Sequence, residues 1–567
     1  MRSECDMVVR GGTVVDGSGS EPFIGDVAIH NGKIFAVGAV DARGVEEIDA
    51  RGKIVTPGFV DIHTHYDGQV VWESRLQPSS GHGVTTIVTG NCGVGFAPCR
   101  LEDHEALVAL MAGVEDIPEV VMVEGLPWTW ETFPDYLDAV AARPHDVDIA
   151  AMVPHSALRV YAMGQRAINR ERATDADVAT MAALVEEAMA AGAIGLGTSR
   201  AIQQKSIRGE PIPTVGAGES ELAGILKPVA EAGGVFQALS DFDLFKDVEG
   251  EFGMFRRLVD GLGLRMSFTL NQKHSDPDGW RRLLALTEAA NDDGLTIKGQ
   301  VLGRPTGLLL GHELTQSPFS ASNTYRALGA LTFAAKIAEL RKPDVRAAII
   351  AEAQASNGRS LSHMFELGEE VDYEPSLDDN IEAKALRAGV SPYEYVYDYL
   401  LEEDGRKILF DPAQNFADGS LSAPYEMMKH RDTILGLGDG GAHCGLICDA
   451  SFPTTMLAYW TRDRVRGPQL ALPEVVRMLS AANASAMGLS DRGLLATGYK
   501  ADINVIDYDA LKLHRPEAVY DLPSGGRRIV QRADGYAATI VSGQVTYRKG
   551  EATGALPGKV VRGPQAA

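Results

Sequence analysis

The chain has 567 residues, 45% of them hydrophobic and 23% charged, which is an ordinary composition for a soluble globular protein. Its formal net charge of −24 argues against a nucleic acid or an anionic membrane as a partner, because phosphates would be repelled. The N-terminus lacks the apolar core of a secretory signal, and no run of about 18 apolar residues predicts a transmembrane helix. Five irregularly spaced cysteines do not make a disulfide framework, so we expect a cytoplasmic protein.

Both ends of the chain read as short β-strands. Residues 23–30 and 33–37 flank Asn31-Gly32, the strongest short-range signal for a hairpin. Near the other end, residues 501–507 and 537–545 alternate apolar and polar side chains. We predict a small β-sandwich domain built from both termini, residues 1–56 and 491–550, followed by a C-terminal tail at 551–567.

The middle of the chain, residues 57–490, alternates apolar strand-like runs with amphipathic helices. The clearest helix, 174–191, opens on Thr174 as N-cap and closes at Gly192. Counting the strand before His63 gives eight strand–helix units, which predicts the α/β fold class and a (β/α)₈ TIM-type barrel. Residues 306–415 exceed what one crossover needs, and we expect them to form an insertion over the site.

Reactive side chains follow the predicted strands at the barrel end where active sites form. His63 and His65 point to the same face of an extended strand, about 6 to 7 Å apart, and can bind one metal ion or be ordinary core histidines. Cys92, a thiolate ligand or a buried structural cysteine, follows the second strand. Asp439, a carboxylate ligand and catalytic base or part of a glycine-rich turn, follows the last. Imidazole, thiolate and carboxylate are ligands that zinc accepts.

Longer motifs around these residues resemble the amidohydrolase superfamily, and more narrowly its D-aminoacylases (N-acyl-D-amino-acid deacylases). The two most specific motifs are Gly58-Phe59-Val60-Asp61-Ile62-His63-Thr64-His65-Tyr66-Asp67 and Thr89-Gly90-Asn91-Cys92-Gly93-Val94-Gly95-Phe96-Ala97-Pro98. Further agreement lies in Glu115-Asp116-Ile117-Pro118, Trp130-Glu131-Thr132-Phe133, His155-Ser156-Ala157-Leu158-Arg159, Asp491-Arg492-Gly493-Leu494-Leu495, Gly498-Tyr499-Lys500-Ala501-Asp502 and residues 553–562.

The resemblance implies zinc-dependent hydrolysis of the amide bond of an N-acyl amino acid or a related small-molecule amide. It implies that His63, His65 and Asp439 are metal ligands, with Asp439 also the catalytic residue, and that Cys92 is the thiolate ligand peculiar to the D-aminoacylase group. The family also carries histidines at the ends of the fifth and sixth strands. Here the fifth strand has none and the nearest to the sixth is His274, so we predict one zinc ion rather than two.

Two other functions stay open. A cyclic-amide hydrolase of the hydantoinase type would use a bridging lysine, and no lysine follows the fourth predicted strand. A catalytically reduced barrel with a binding role would explain the absent histidines.

Three residues are weaker candidates for substrate binding. Arg200 and Arg304 follow strand-like runs and could pair with a substrate carboxylate, or lie on the surface. His155 follows the third strand and could equally be a structural histidine. The sequence leaves the oligomeric state open, a homo-oligomer included.

Overall fold

The first strands of the chain form half of a sheet that the C-terminal strands complete. The structure is a computed structural model that describes residues 4–242, 247–356 and 360–563. The N-terminal strands are β1 (Glu4–Val14), β2 (Phe23–His30), β3 (Lys33–Gly38), β4 (Arg43–Asp49) and β5 (Ile54–Pro57). The predicted turn joins β2 to β3, and both Asn31 and Gly32 have the positive φ angles that such a hairpin turn requires.

The barrel begins with seven parallel strands that neighbour one another in chain order. They are β6 (Phe59–Asp61), β7 (Val84–Thr89), β8 (Asp148–Pro154), β9 (Gly195–Ser199), β10 (Val235–Leu239), β11 (Arg265–Thr269) and β12 (Thr296–Val301). The helices between them are α1 (Gln69–Trp72), α2 (His104–Val114), α3 (Glu119–Gly125), α4 (Phe133–Ala141), α5 (His155–Met163), α6 (Gln165–Ile168), α7 (Asp175–Ala191), α8 (Glu219–Glu231), α9 (Val248–Leu262) and α10 (Gly279–Asp292). As predicted, Thr174 caps α7 and Gly192 ends it in the left-handed conformation.

A separate packing unit lies between the seventh and eighth barrel strands. Its strands β13 (Thr306–Leu310), β14 (Phe365–Leu367) and β15 (Ile408–Gln414) form an antiparallel sheet with β15 in the centre. Its helices are α11 (Asn323–Ala327), α12 (Phe333–Leu340), α13 (Pro343–Ala355), α14 (Ile381–Ala388) and α15 (Pro392–Leu400). A hydrophobic cluster of its own, including Phe319, Ile349 and Tyr397, makes this region a small subdomain.

The barrel closes where the eighth strand meets the first. Helix α16 (Ser422–Lys429) leads into β16 (Thr433–Leu435), which pairs with β12. Beyond β16 the Asp439 amide donates to the His63 carbonyl at 3.1 Å, and the His65 amide donates to the Gly440 carbonyl at 2.7 Å. The predicted eight-stranded barrel is thus confirmed, and its closing hydrogen bonds involve the candidate metal residues themselves. Helices α17 (Phe452–Ala458), α18 (Leu472–Arg477) and α19 (Asn483–Ala486) follow.

The C-terminal strands complete the first sheet. They are β17 (Ile503–Ile506), β18 (Lys512–Leu513), β19 (Glu517–Leu522), β20 (Gly526–Val530), β21 (Ala533–Asp534), β22 (Tyr536–Val541), β23 (Gln544–Arg548) and β24 (Glu551–Ala552). Strand β17 pairs with β5, so one nine-stranded sheet contains both ends of the chain, and β18–β21 and β19–β20 form two short ribbons. Val9, Val55 and Val505 share its core, which confirms a sheet domain built from both termini. The domain boundaries given above stay predictions.

After β24 the chain returns to the barrel, where the Gly558 and Val561 amides donate to carbonyls beside β8. No helix among the described residues is both long and apolar enough to span a membrane.

Candidate metal centre

The two histidines after the first barrel strand lie side by side in the interior. The chain leaves β6 at Asp61 and stays extended, so the rings of His63 and His65 share one side, with centroids 5.5 Å apart. Their side chains are only 2% exposed. The predicted pair therefore exists, and it is shielded from water.

Cys92 reaches the histidines from the loop after β7. This loop lies against β9 so closely that a Cβ atom on Gly197 would collide with the Gly90 carbonyl oxygen, which explains a glycine within β9. Cys92 has a positive φ of 53°, and its amide donates to Gln237 Oε1 at 2.9 Å. Its Sγ atom lies 3.3 Å from His63 Nε2.

Asp439 completes the group from the turn that closes the barrel. Its backbone also has a positive φ, 48°, and its Oδ1 atom lies 3.4 Å from His63 Nε2 and 3.7 Å from His65 Nε2. Its side chain is 21% exposed, the most accessible of the four predicted ligands. One donor atom each from His63, His65 and Cys92 lies within 4.8 Å of the others. The structure therefore brings together all four residues that the sequence predicts as ligands.

Two further residues border this cluster, and neither is among the ligands predicted from the sequence. Glu115, after α2, is buried, with Oε1 3.6 Å from His65 Nδ1 and Oε2 3.6 Å from His443 Nε2. The only available signal was that Glu115 belongs to one of the family-like motifs, while His443 sits four residues after Asp439. A carboxylate and a third imidazole thus flank the predicted ligands.

The electrostatics of this cluster favour a cation. Burial raises the pKa of Cys92 and Glu115 well above their usual values, and the neighbouring acids Asp439 and Asp67 raise both further. Burial also raises the pKa of Asp439, against the opposing effect of His443. Within the described residues, no arginine or lysine is among the groups that shift these three pKa values. A divalent ion would supply the missing positive charge.

The histidines have the complementary property of staying neutral. Burial lowers the pKa of His63 to about 4, although the hydrogen bond to Gln300 raises it slightly. Burial, and then the nearby His63 and His443, lower the pKa of His65 well below its usual value. His65 Nδ1 is a buried nitrogen without a hydrogen-bond partner. Neutral imidazoles beside a thiol and a carboxylate form a donor set that fits zinc.

Comparison with known proteins agrees with this chemistry. Residues 46–547 match the family described as Amidohydrolase family. The chain belongs to this family. It is therefore an amidohydrolase, a hydrolase that acts on carbon–nitrogen bonds other than peptide bonds.

Individual relatives match this chain over nearly its full length. The D-aminoacylase of Alcaligenes xylosoxydans xylosoxydans is 28% identical, with 98% of this chain and 97% of the relative covered. One solved structure is a D-aminoacylase with a binuclear metal centre, described by one-metal activation and second-metal attenuation. It has a TM-score of 0.65 to this chain at 23% identity, and the match covers 98% of this chain and all of the other. The zinc and phosphonate complex of N-acyl-D-glutamate deacylase from Bordetella bronchiseptica also has a TM-score of 0.65, at 22% identity, covering 99% and 100%.

Neither the fifth nor the sixth barrel strand of this amidohydrolase brings a histidine to the site. On β10 the buried Gln237 faces the site and bonds the Cys92 amide. After β11, His274 Nε2 donates to the Pro412 carbonyl at 2.8 Å, and the His274 ring lies 5.2 Å from that of His363. His274 thus packs against the inserted region. Strand β9 ends in Thr198 and Ser199, so no lysine stands there.

The three predicted substrate-binding side chains are engaged inside the protein. His155 is fully buried between Thr198 Oγ1 at 2.8 Å and Glu221 Oε1 at 3.1 Å. Arg200 pairs with Glu251 at 2.7 Å.

Arg304, 1% exposed, pairs with Asp449 at 2.7 Å and lies over the ring of Tyr373. These contacts account for the three side chains structurally, and their roles toward a substrate stay predictions.

Proposed function

We propose that this amidohydrolase removes the acyl group from an N-acyl amino acid, as its D-aminoacylase relatives are named for doing, with one zinc ion held by His63, His65, Cys92 and Asp439. The observation that carries the proposal is the convergence of these four donors at the C-terminal end of the barrel. Catalytic zinc sites are built from side chains of these types, with one position kept open for water.

A single ion fits the donor set better than two. His63 Nε2 is the common neighbour of Cys92 Sγ and Asp439 Oδ1, at 3.3 and 3.4 Å, so the thiolate and the carboxylate border one position. The fifth strand contributes Gln237, whose Oε1 is occupied by a backbone amide, in place of a ligand. The D-aminoacylase structure described by one-metal activation supports catalysis with one ion in this fold.

Asp439 carries the proton transfers of the proposed reaction. When bound, zinc would supply Lewis-acid polarisation of the amide carbonyl and make a water molecule more acidic. The carboxylate of Asp439, the most exposed of the four donors, takes the proton from the attacking water, while a C–O bond forms at the carbonyl carbon. The same carboxyl group returns the proton to the leaving nitrogen as the C–N bond breaks.

Space for a small substrate exists at this end of the barrel. A cavity of about 400 Å³ opens beyond β10 and β11, and its walls include Phe242, Trp280, Asn271 and Lys273. Its lining combines some apolar side chains with a larger number of polar and charged ones, Asp241 and Arg282 among them. An N-acyl amino acid has both an apolar chain and polar ends, which matches such a lining.

Turnover by zinc-loaded protein tests the proposal. N-acetyl-D- and L-amino acids, hydantoins and anilides are incubated with the unaltered protein, with Asp439→Ala, and with Asp404→Ala as a control. Asp404 also has a positive φ, 54°, but it lies on the surface beside Arg341. We expect cleavage of N-acyl amino acids that only Asp439→Ala abolishes.

Other outcomes each contradict part of the proposal. Cleavage that survives Asp439→Ala removes the proposed mechanism, and preference for hydantoins favours the cyclic-amide alternative. A protein that binds no zinc and cleaves nothing favours a binding role. A cytoplasmic location, independence from nucleic acids and the homo-oligomeric state stay predictions.

A further inference from the structure

We propose that Gln300 positions His63 for metal binding and that Ser267 anchors the Gln300 amide beside it. The inference rests on the proposed zinc site and names residues that stand behind it. Gln300 lies on β12 and Ser267 on β11, and neither belongs to a motif that carries the family resemblance.

The first step is the hydrogen bond between Gln300 and His63. Gln300 Oε1 lies 2.6 Å from His63 Nδ1, and both side chains are buried. An amide oxygen can only accept, so Nδ1 must carry the proton of the neutral ring. The lone pair is then on Nε2, the atom that faces Cys92 Sγ and Asp439 Oδ1. Gln300 therefore selects the tautomer that can bind a metal.

The second step is the anchoring of the amide. Gln300 Nε2 donates to Ser267 Oγ at 2.8 Å on the next strand. A reversed amide would present its N–H groups to Nδ1, the proton would move to Nε2, and that nitrogen could no longer bind zinc. Ser267 holds the amide at this place, because its hydroxyl is the hydrogen-bond partner of the Gln300 Nε2 group inside the barrel, while the proton on His63 Nδ1 keeps the oxygen turned toward the ring.

The third step is the path of Gln300 across the barrel. Strand β16 stands between β12 and β6, so Gln300 must reach past it to touch His63. The residue beside this path is Gly436, where an added Cβ atom would lie 3.1 Å from Gln300 Oε1. The absence of a side chain at 436 leaves the room that this long contact needs.

Zinc affinity tests the inference without relying on activity. Competition against a chelator measures the dissociation constant for Zn²⁺, and Co²⁺ loading reports the Cys92 thiolate by absorption. We expect Gln300→Leu to weaken zinc binding about 10- to 100-fold, as removal of groups behind a metal ligand does. Gln300→Glu keeps an acceptor for Nδ1–H and should restore the affinity. Ser267→Ala should weaken zinc binding in the same direction, and Ser267→Thr should preserve it.

A matched control separates positioning from packing. Gln531 is also a buried glutamine, bonded to Ser451, Tyr373 and the His514 carbonyl, and it contacts none of the proposed ligands. Gln531→Leu should lower stability without changing the zinc dissociation constant. A role of Gln300 in packing alone would make Gln300→Leu behave in the same way.

The outcomes distinguish this inference from the proposed function. If the unaltered protein binds zinc and a folded Gln300→Leu variant binds it with the same affinity, the inference is overturned and the proposed function is not. No zinc binding by the unaltered protein overturns the proposed function. If Gln300→Leu does not fold, ¹⁵N spectra of the His63 ring in Ser267→Ala decide. A proton that remains wholly on Nδ1, with full zinc affinity, refutes the inference.

Discussion

A buried ion pair between Glu374 and Arg464 ties the inserted region to the barrel. Both side chains are fully buried, and Arg464 donates from Nε and Nη2 to the two carboxylate oxygens at 2.9 and 3.0 Å. The Leu421 amide and the Tyr459 hydroxyl each add a bond at 2.7 Å. Arg464→Leu removes two of these four bonds and leaves the carboxylate buried without its counter-charge.

The magnitude follows from these contacts. Hydrogen bonds to charged groups contribute about 1.5–3 kcal/mol each, and breaking a buried pair from one side typically costs about 3–5 kcal/mol. We expect Arg464→Leu to lower the free energy of unfolding by about 3–5 kcal/mol, measured as a lower urea midpoint. The double variant with Glu374→Leu should recover part of this loss, because no charge is then left buried although the Leu421 amide and the Tyr459 hydroxyl lose their acceptor.

The same pair predicts a pH dependence. Burial raises the pKa of Glu374, but the hydrogen bonds from Arg464, Leu421 and Tyr459 outweigh it, so the net pKa lies below 4.5. A carboxyl whose folded pKa is depressed stabilises the protein fully above its unfolded value and loses that contribution as the pH falls through the folded value. The difference between unaltered protein and Arg464→Leu should therefore be largest above about pH 4.5 and shrink in more acidic solution.

Two results would refute this reasoning. One is a Arg464→Leu variant whose urea midpoint hardly moves, and the other is a difference that grows as the pH falls. Arg341→Leu serves as the control, because Arg341 pairs with Asp404 at the surface and its loss should shift the midpoint little.

Three further predictions concern the metal centre. Gly197→Ala should destabilise the protein by about 1–3 kcal/mol and reduce the zinc bound per chain, because the added Cβ atom displaces the loop that carries Cys92. A normal zinc content by elemental analysis would contradict this. Gln237→Leu should weaken zinc binding about tenfold or more, since the Cys92 amide loses its acceptor, while His274→Ala should leave the dissociation constant unchanged. Removing the zinc with a chelator should lower the melting temperature. A free zinc concentration of a thousand times the dissociation constant stabilises the folded state by about 4 kcal/mol. An unchanged melting temperature would argue against a buried ion.

Part of the site could be predicted from the sequence because some of its residues are close neighbours along the chain. His63 and His65 must share a face in any extended strand, and the motifs around them and around Cys92 indicate the family. The eight barrel strands were also predictable, since each is a short apolar run followed by an amphipathic helix. The inserted region was recognisable only by its length, because its strands pair across about a hundred residues.

The sequence alone determined the barrel, the sheet shared by both termini and the four candidate ligands, because these depend on periodicity and short motifs. The tertiary structure decided which groups stand behind the ligands. Glu115 beside His65, Gln237 on Cys92 and Gln300 on His63 lie between about 50 and 240 residues from their partners. Such contacts arise from the closure of the barrel, which brings the ends of distant strands into one buried space where each polar group must find a partner.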